Sequence, residues 1–192
     1  MKKLLTTFLI VFSILPVITF AQENRAAIKN TIGIGPRLGF YKANNADNGN
    51  FYGGLQTRIR IGAVLGFEGS VEYRAGQKYN FAGQKMNTKF IPVTASMLLF
   101  LPVNSNFAPY GIAGLGAYYT IYDYEGAFTD QTDNNFNFGY HLGFGVELPI
   151  NSNAALNFDY RYLFLNPNEN QTSTANADYS GNVFTAGLMF YL

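Results

Sequence analysis

Phe136, Phe138, Tyr140, Leu142, Phe144, Val146 and Leu148 occupy every second position of one unbroken stretch, with Asn137, Gly139, His141, Gly143, Gly145 and Glu147 between them. A strand points alternate side chains to opposite faces, so this stretch has one apolar, aromatic face and one face that is polar or bare. The same alternation recurs along the chain and predicts eight strands, each close to the 9–11 residues that a tilted membrane strand needs. They fall at residues 31–41, 52–62, 66–75, 89–101, 109–122, 135–149 and 154–165, with an eighth at the C-terminus, where Phe184, Ala186, Leu188, Phe190 and Leu192 share a face. The fifth strand reads in either register; the favoured one sends Leu115, Ala117, Tyr119 and Ile121 outward and Gly114 and Gly116 inward. Pro36 lies on the apolar face of the first strand and lacks an N–H, which predicts a bulge or a weakened ladder there.

The connections alternate in length. Those after strands one, three, five and seven (residues 42–50, 76–85, 123–134 and 166–181) are long, polar and rich in Asn, Asp and Gly, whereas 62–65, 102–108 and 150–153 are short. Short turns at one end and long loops at the other are the mark of an up-and-down barrel, and an even strand count leaves both termini beside the turns. The predicted fold is all-β: an eight-stranded antiparallel up-and-down transmembrane β-barrel with a polar, side-chain-filled lumen, formed by residues 31–192.

Charge follows the same alternation. Arg37, Arg58, Arg60, Glu68, Glu72, Arg74, Glu147, Asp159 and Arg161 lie within strands on the face opposite the large apolar side chains, together with glycines. An arginine facing lipid at mid-bilayer costs about 2–4 kcal/mol, so hydrocarbon would enforce this segregation. Every basic residue of the set is arginine, whose fork pairs bidentately with carboxylates. Lys42, Lys78, Lys85 and Lys89 sit in loops or at a strand margin. A tight turn after strand two would set Arg60 opposite Glu68 and Arg58 near Ser70 and Glu72. The triplets Glu72-Tyr73-Arg74 and Asp159-Tyr160-Arg161 echo each other.

The first residues change the picture of where this barrel resides. Met1-Lys2-Lys3, an apolar run over 4–20 and Ala21-Gln22 read as a secretory signal peptide cleaved after Ala21, followed by a short periplasmic segment at 22–30. The run is interrupted by Thr6, Thr7, Ser13 and Pro16 and is too short for a spanning helix. Cleavage would leave 192 − 21 = 171 residues, enough for one domain. It would also remove two of 13 basic residues against 12 acids, giving a formal charge of −1 and no basic footprint for nucleic acid. The chain has no cysteine, so neither disulfides nor an acylated thiol would hold or anchor it. Charged residues make up 13% of the chain, against about a quarter in soluble domains.

Candidate chemistry is sparse. His141, the sole histidine, lies on the inner face of strand six between Gly139 and Gly143, with no His-x-Ser arrangement that would supply a base and a nucleophile. It reads as lumen packing. Asp123, Glu125, Asp130 and Asp133 make the third long loop acidic without calcium-loop spacing and read as a solvated loop. Tyr118, Tyr119, Tyr122 and Tyr124 read as interfacial anchoring aromatics. Neither zinc-ligand spacing nor a phosphate-cradling loop is evident, and no cofactor is expected.

The hairpin around Ile91-Pro92-Val93 and Pro109-Tyr110-Gly111-Ile112-Ala113-Gly114-Leu115-Gly116, the Tyr-Arg strands and the alternating stretch from Phe184 to Leu192 resemble the outer-membrane protein β-barrel domain family, the small OmpA/OmpX-like or porin-family barrels of Gram-negative bacteria. The resemblance spans residues 31–192. It implies an integral protein of the cell outer membrane, without enzymatic activity, that presents four long extracellular loops in a structural or surface-interaction role. It also implies outer-membrane lipid as surroundings, and periplasmic chaperones and the barrel-assembly machinery as partners during biogenesis. In that family the last strand is the assembly signal and usually ends in an aromatic residue; here Phe184, Ala186, Leu188 and Phe190 precede a terminal Leu192. A monomer is expected. The alternatives are a narrow porin-like channel for small solutes, a lipid-modifying barrel enzyme, and a soluble secreted ligand-binding β-barrel with the opposite orientation of apolar and charged residues.

Overall fold

The computed structural model describes residues 31–44, 46–81, 84–101, 103, 107–125, 131–165 and 179–192, with 75–81, 84–88, 122–125 and 131–135 described by their backbone alone. Eight antiparallel strands close into one barrel in chain order: β1 (Ile32–Ala43), β2 (Asn50–Ile61), β3 (Leu65–Phe81), β4 (Gln84–Phe100), β5 (Ala108–Glu125), β6 (Gln131–Pro149), β7 (Ala154–Phe164) and β8 (Gly181–Tyr191). β1 meets β8 from Gly33↔Tyr191 to Ala43↔Gly181, and the Leu192 amide donates to the Ile32 carbonyl at 2.9 Å, so both ends of the described chain lie at one rim.

The pleat sorts the residues as the alternation requires. Leu115 is 70% exposed and Phe138 76%, while Arg37, Arg58, Glu68 and Glu147 are buried. This orientation, with rings outward and ions inward, is that of a membrane barrel and the reverse of a soluble ligand carrier. β5 takes the register that turns Leu115 and Tyr119 outward.

Five places bear on the sequence-based expectations, and at all but the third, where the weakened ladder expected at Pro36 is found, the structure differs. First, β3, β4, β5 and β6 run 17, 17, 18 and 19 residues, so most of the expected loops at 76–85 and 123–134 are paired strand, as in Asn80↔Lys85 and Tyr124↔Gln131. A strand outside the membrane has no need of an apolar face, and the polar residues that signalled a loop are compatible with a ladder. Asp123, Glu125 and Asp133 thus stand on strands, and Asp130 lies outside the described residues. Second, β3 carries a register shift between Arg74 and Gln77 that the sequence did not announce. Third, the β1–β8 ladder has no pairs at Gly35 and Pro36 but resumes in the same register at Arg37↔Gly187, a weakened ladder without a bulge.

Fourth, the turn after β2 begins at Gly62, whose φ of 63° favours a residue without Cβ. This closes the hairpin at Ile61↔Leu65 and sets Arg58 opposite Glu68, Gln56 opposite Ser70 and Arg60 opposite Gly66. Fifth, Tyr118 is 1% exposed and points into the lumen. Its ring fills the space over Gly116, where a Cβ would come within 2.7 Å of it, so only Tyr119 of that pair faces out. Residues 1–30, with the expected Ala21-Gln22 cleavage site, lie outside the described residues, as does most of the connection after β7.

Pairing of β3 with β2 ends at Tyr52↔Arg74, and that of β6 with β7 ends at Tyr140↔Phe164. Beyond those points β3, β4, β5 and β6 continue as a four-stranded sheet that rises past the barrel rim opposite the chain ends. Leu142, which is 52% exposed near the middle of the apolar belt, tests the orientation. Leu142→Arg is expected to lower folding stability in lipid vesicles by about 2–4 kcal/mol, measured by urea titration of the heat-modifiable gel band.

Candidate functional site

Inward positions on eight strands converge on a lumen only wide enough for its own side chains. The nine charged residues singled out by alternation all project there, and they form one connected network. Glu68 on β3 is its hub: Oε1 accepts from Arg37 Nη1 at 3.1 Å and Arg161 Nη2 at 2.7 Å, and Oε2 accepts from Arg58 Nη2 at 2.5 Å. Arg58 continues to Glu147, 2.5 Å from Nη1, which also takes Arg60 Nη1 at 3.1 Å and the Tyr191 hydroxyl at 2.5 Å. Arg37 Nε lies 3.3 Å from Glu72, which pairs with Arg74. Asp159 accepts from Arg161 Nε at 2.6 Å and from the Tyr110 hydroxyl at 3.3 Å. The echoed triplets perform the same act: Arg74 Nε donates to Glu72 at 2.9 Å as Arg161 does to Asp159, each pair two residues apart on one face.

Glycines make these contacts possible. Arg37 and Glu72 stand on either side of Gly54, Tyr52 and Thr185 on either side of Gly39, Ser96 and His141 on either side of Gly114, and Tyr110 and Asp159 on either side of Gly145. In each case side chains two strands apart meet over the bare middle position. A Cβ at Gly114 would come within 2.7 Å of the His141 ring, and one at Gly145 within 2.7 Å of Asp159 Cβ. The Ser96 Oγ to His141 Nε2 distance is 2.9 Å, a contact that linear motifs miss because the partners lie 45 residues apart. Polar residues flanking a glycine across three neighbouring strands are the signal that finds it. The pair is buried in the lumen, away from the lipid-facing wall.

The ionic layer lies between two apolar ones. Toward the protruding sheet, Tyr41, Phe90, Tyr118, Leu163, Leu165 and Tyr179 pack together, and the Tyr41 hydroxyl donates to the Tyr179 carbonyl. Toward the chain ends lie Leu98, Phe100, Tyr110 and Ile112, with Met189 and Tyr191 beside them. Aromatic rings also cover the guanidiniums: Arg60 sits 3.4 Å from the Phe100 centroid, and Arg74 lies 4.8 and 5.0 Å from Tyr41 and Tyr52. Phe90, Leu98 and Phe100 are large apolar residues on the inner face, so the lumen is polar only in its middle.

Removing a partner from a buried ion pair leaves an uncompensated charge, at a cost of about 3–5 kcal/mol. Glu68→Gln leaves Arg37, Arg58 and Arg161 with one carboxylate each, so the lower end applies. A loss of about 3 kcal/mol is expected by urea titration in vesicles, and a loss below about 1 kcal/mol would show that the hub does not hold the lumen together.

A family model for the outer membrane protein beta-barrel domain matches residues 7–191. Among solved structures, the chain is similar to Neisserial surface protein A, at 16% identity over 83% of this chain and 95% of that one, with a TM-score of 0.57. It is similar to a major outer membrane protein from Thermus thermophilus, at 12% identity over 84% and 98%, with a TM-score of 0.59. It is also similar to Ail, the attachment invasion locus protein of Yersinia pestis, in complex with the heparin analogue sucrose octasulfate, at 16% identity over 84% and 97%, with a TM-score of 0.53. No curated protein matches. Identities this low establish a shared fold, and the family match covers nearly the whole sequence: the chain belongs to the outer membrane protein β-barrel domain family.

Proposed function

We propose that this outer-membrane barrel has a structural or surface-interaction role, without enzymatic activity, and presents four extracellular connections on a closed scaffold. The observation that carries this reading is the length of β3, β4, β5 and β6, 17–19 residues where about 9–11 cross a membrane. Their excess builds a sheet beyond the rim, on the side away from the chain ends. A chain that needed only to span lipid would have no use for it. Export through a signal peptide cleaved between Ala21 and Gln22, a periplasmic segment at 22–30 and a monomeric barrel at 31–192 complete the reading. The strand bearing Phe184, Ala186, Leu188, Phe190 and Leu192 would be the signal that chaperones and the assembly machinery receive.

The lumen supports a scaffold more than a pore. Five arginines face four carboxylates, so the interior carries a formal charge of only 5 − 4 = +1, and apolar layers lie on both sides of it. In planar bilayers the purified protein is expected to give no steady conductance, and a sustained nanosiemens level would favour the channel. On intact cells, external protease is expected to cut at the ends of the β3–β4 or β5–β6 hairpins or within 166–178 while the barrel keeps its heat-modifiable migration. A barrel whose connections resist protease on intact cells but yield after the outer membrane is opened would overturn the surface reading.

A further inference from the structure

The β1–β2 connection stands at the rim opposite the chain ends and carries Asn48-Gly49, the one asparagine in the sequence that is followed by glycine. The connection is fixed at both ends. Ala46 is buried in the apolar layer toward the protruding sheet and its amide donates to the Ala43 carbonyl at 3.2 Å, while Asn50 takes up the ladder opposite Tyr41. Between these points the chain bends and Asn48 is exposed. Among the described residues, neither its side chain nor the Gly49 N–H has a hydrogen-bond partner.

Packing dictates the glycine. A Cβ at position 49 would come within 2.2 Å of the Phe40 ring and 3.0 Å of Lys42 Cβ, so a larger residue does not fit over β1. The lack of a side chain also leaves the Gly49 nitrogen unshielded, and no ladder bond holds it away from the amide of the preceding residue. Other asparagines lack this combination: Asn50 and Asn182 lie in ladders and precede Phe51 and Val183, and Asn151 Oδ1 is held by the Asn153 amide at 2.9 Å.

We propose that Asn48 is a site of spontaneous deamidation, a covalent modification of the outer rim that needs water alone. The Gly49 amide loses its proton to hydroxide, and its nitrogen bonds to Asn48 Cγ. The Cγ–Nδ2 bond breaks and ammonia leaves, closing a cyclic imide. Water then opens the ring at either carbonyl, so one amide and one water become one carboxylic acid and one ammonia. Opening at the Asn48 main-chain carbonyl gives isoaspartate, whose chain runs through Cβ and Cγ; opening at Cγ gives aspartate. Either product puts a negative charge beside the exposed Lys42, and the first also lengthens a connection that seats Ala46 in the apolar layer.

The full barrel, folded in phosphatidylcholine vesicles and held in neutral buffer made with heavy-oxygen water, tests this on its tryptic peptide 43–58. Label is expected at Asn48, chiefly as isoaspartate by electron-transfer fragmentation. Its rate should lie within about tenfold of that of the urea-unfolded chain, because opening an unbonded segment costs little. The rate should rise with pH, as loss of the amide proton requires, and Asn48→Gln should remove the label while heat-modifiable migration persists. A folded-state rate slower than that range, label at Asn44 or Asn50 ahead of Asn48, or aspartate without isoaspartate would each overturn the proposal.

Discussion

Closure of the backbone ladder in hydrocarbon is the constraint from which the rest descends. No water reaches the membrane interior to satisfy an N–H or a carbonyl, so each must find a partner in the protein, and a sheet does this only by having no edge. The β1–β8 pairing supplies that closure, and Gly35 and Pro36 are tolerated because the ladder resumes in register two residues on. Once closed, the pleat leaves no choice: every second residue faces lipid and every other faces a tube too narrow for water and side chains together. Pattern, lumen and wall are therefore one decision.

A narrow tube filled with arginine is a crowding problem before it is an electrostatic one. Burying nine ionic groups is costly unless each is paired and hydrogen-bonded, and pairing requires side chains to reach across the wall's curvature. Gly54 supplies that reach for Arg37 and Glu72 by clearing the strand between them, and Gly39, Gly114 and Gly145 do the same for Tyr52 with Thr185, Ser96 with His141 and Tyr110 with Asp159. Arginine rather than lysine suits the geometry, since Arg58 bridges Glu68 and Glu147 with its two terminal nitrogens at once. The apolar layers above and below then shield the network, which is why Phe90, Leu98 and Phe100 occupy inward positions that simple alternation would reserve for polar residues.

Much of this was legible in the sequence because lipid reads faces, and faces have a period of two. The inward placement of Arg37, Arg58, Glu68, Glu147 and Arg161 followed from parity alone, and so did the strand order, from turn lengths. What parity cannot give is register. Whether Arg58 or Arg60 meets Glu68 depends on where the turn is centred: with Gly62 at positive φ it is centred on Ala63, and Arg58 takes the place opposite Glu68. Tyr118 reads as an interfacial anchor because Tyr119, Tyr122 and Tyr124 accompany it in the sequence, although the register favoured for β5 already places it beside Gly116 on the inner face. The Ser96–His141 contact was invisible because its cause is a glycine on a third strand.

Above the rim the rules change, and with them the information in the chain. Residues 76–81 and 131–134 remain strand although their polar composition looks like loop. In water a ladder is held by its own hydrogen bonds and by continuity with the rigid barrel beneath. The four strands that pass the rim therefore inherit their order from the ionic lumen below. A scaffold with a shielded core can carry such an extension, and segments beyond the rim are free to vary with whatever they meet.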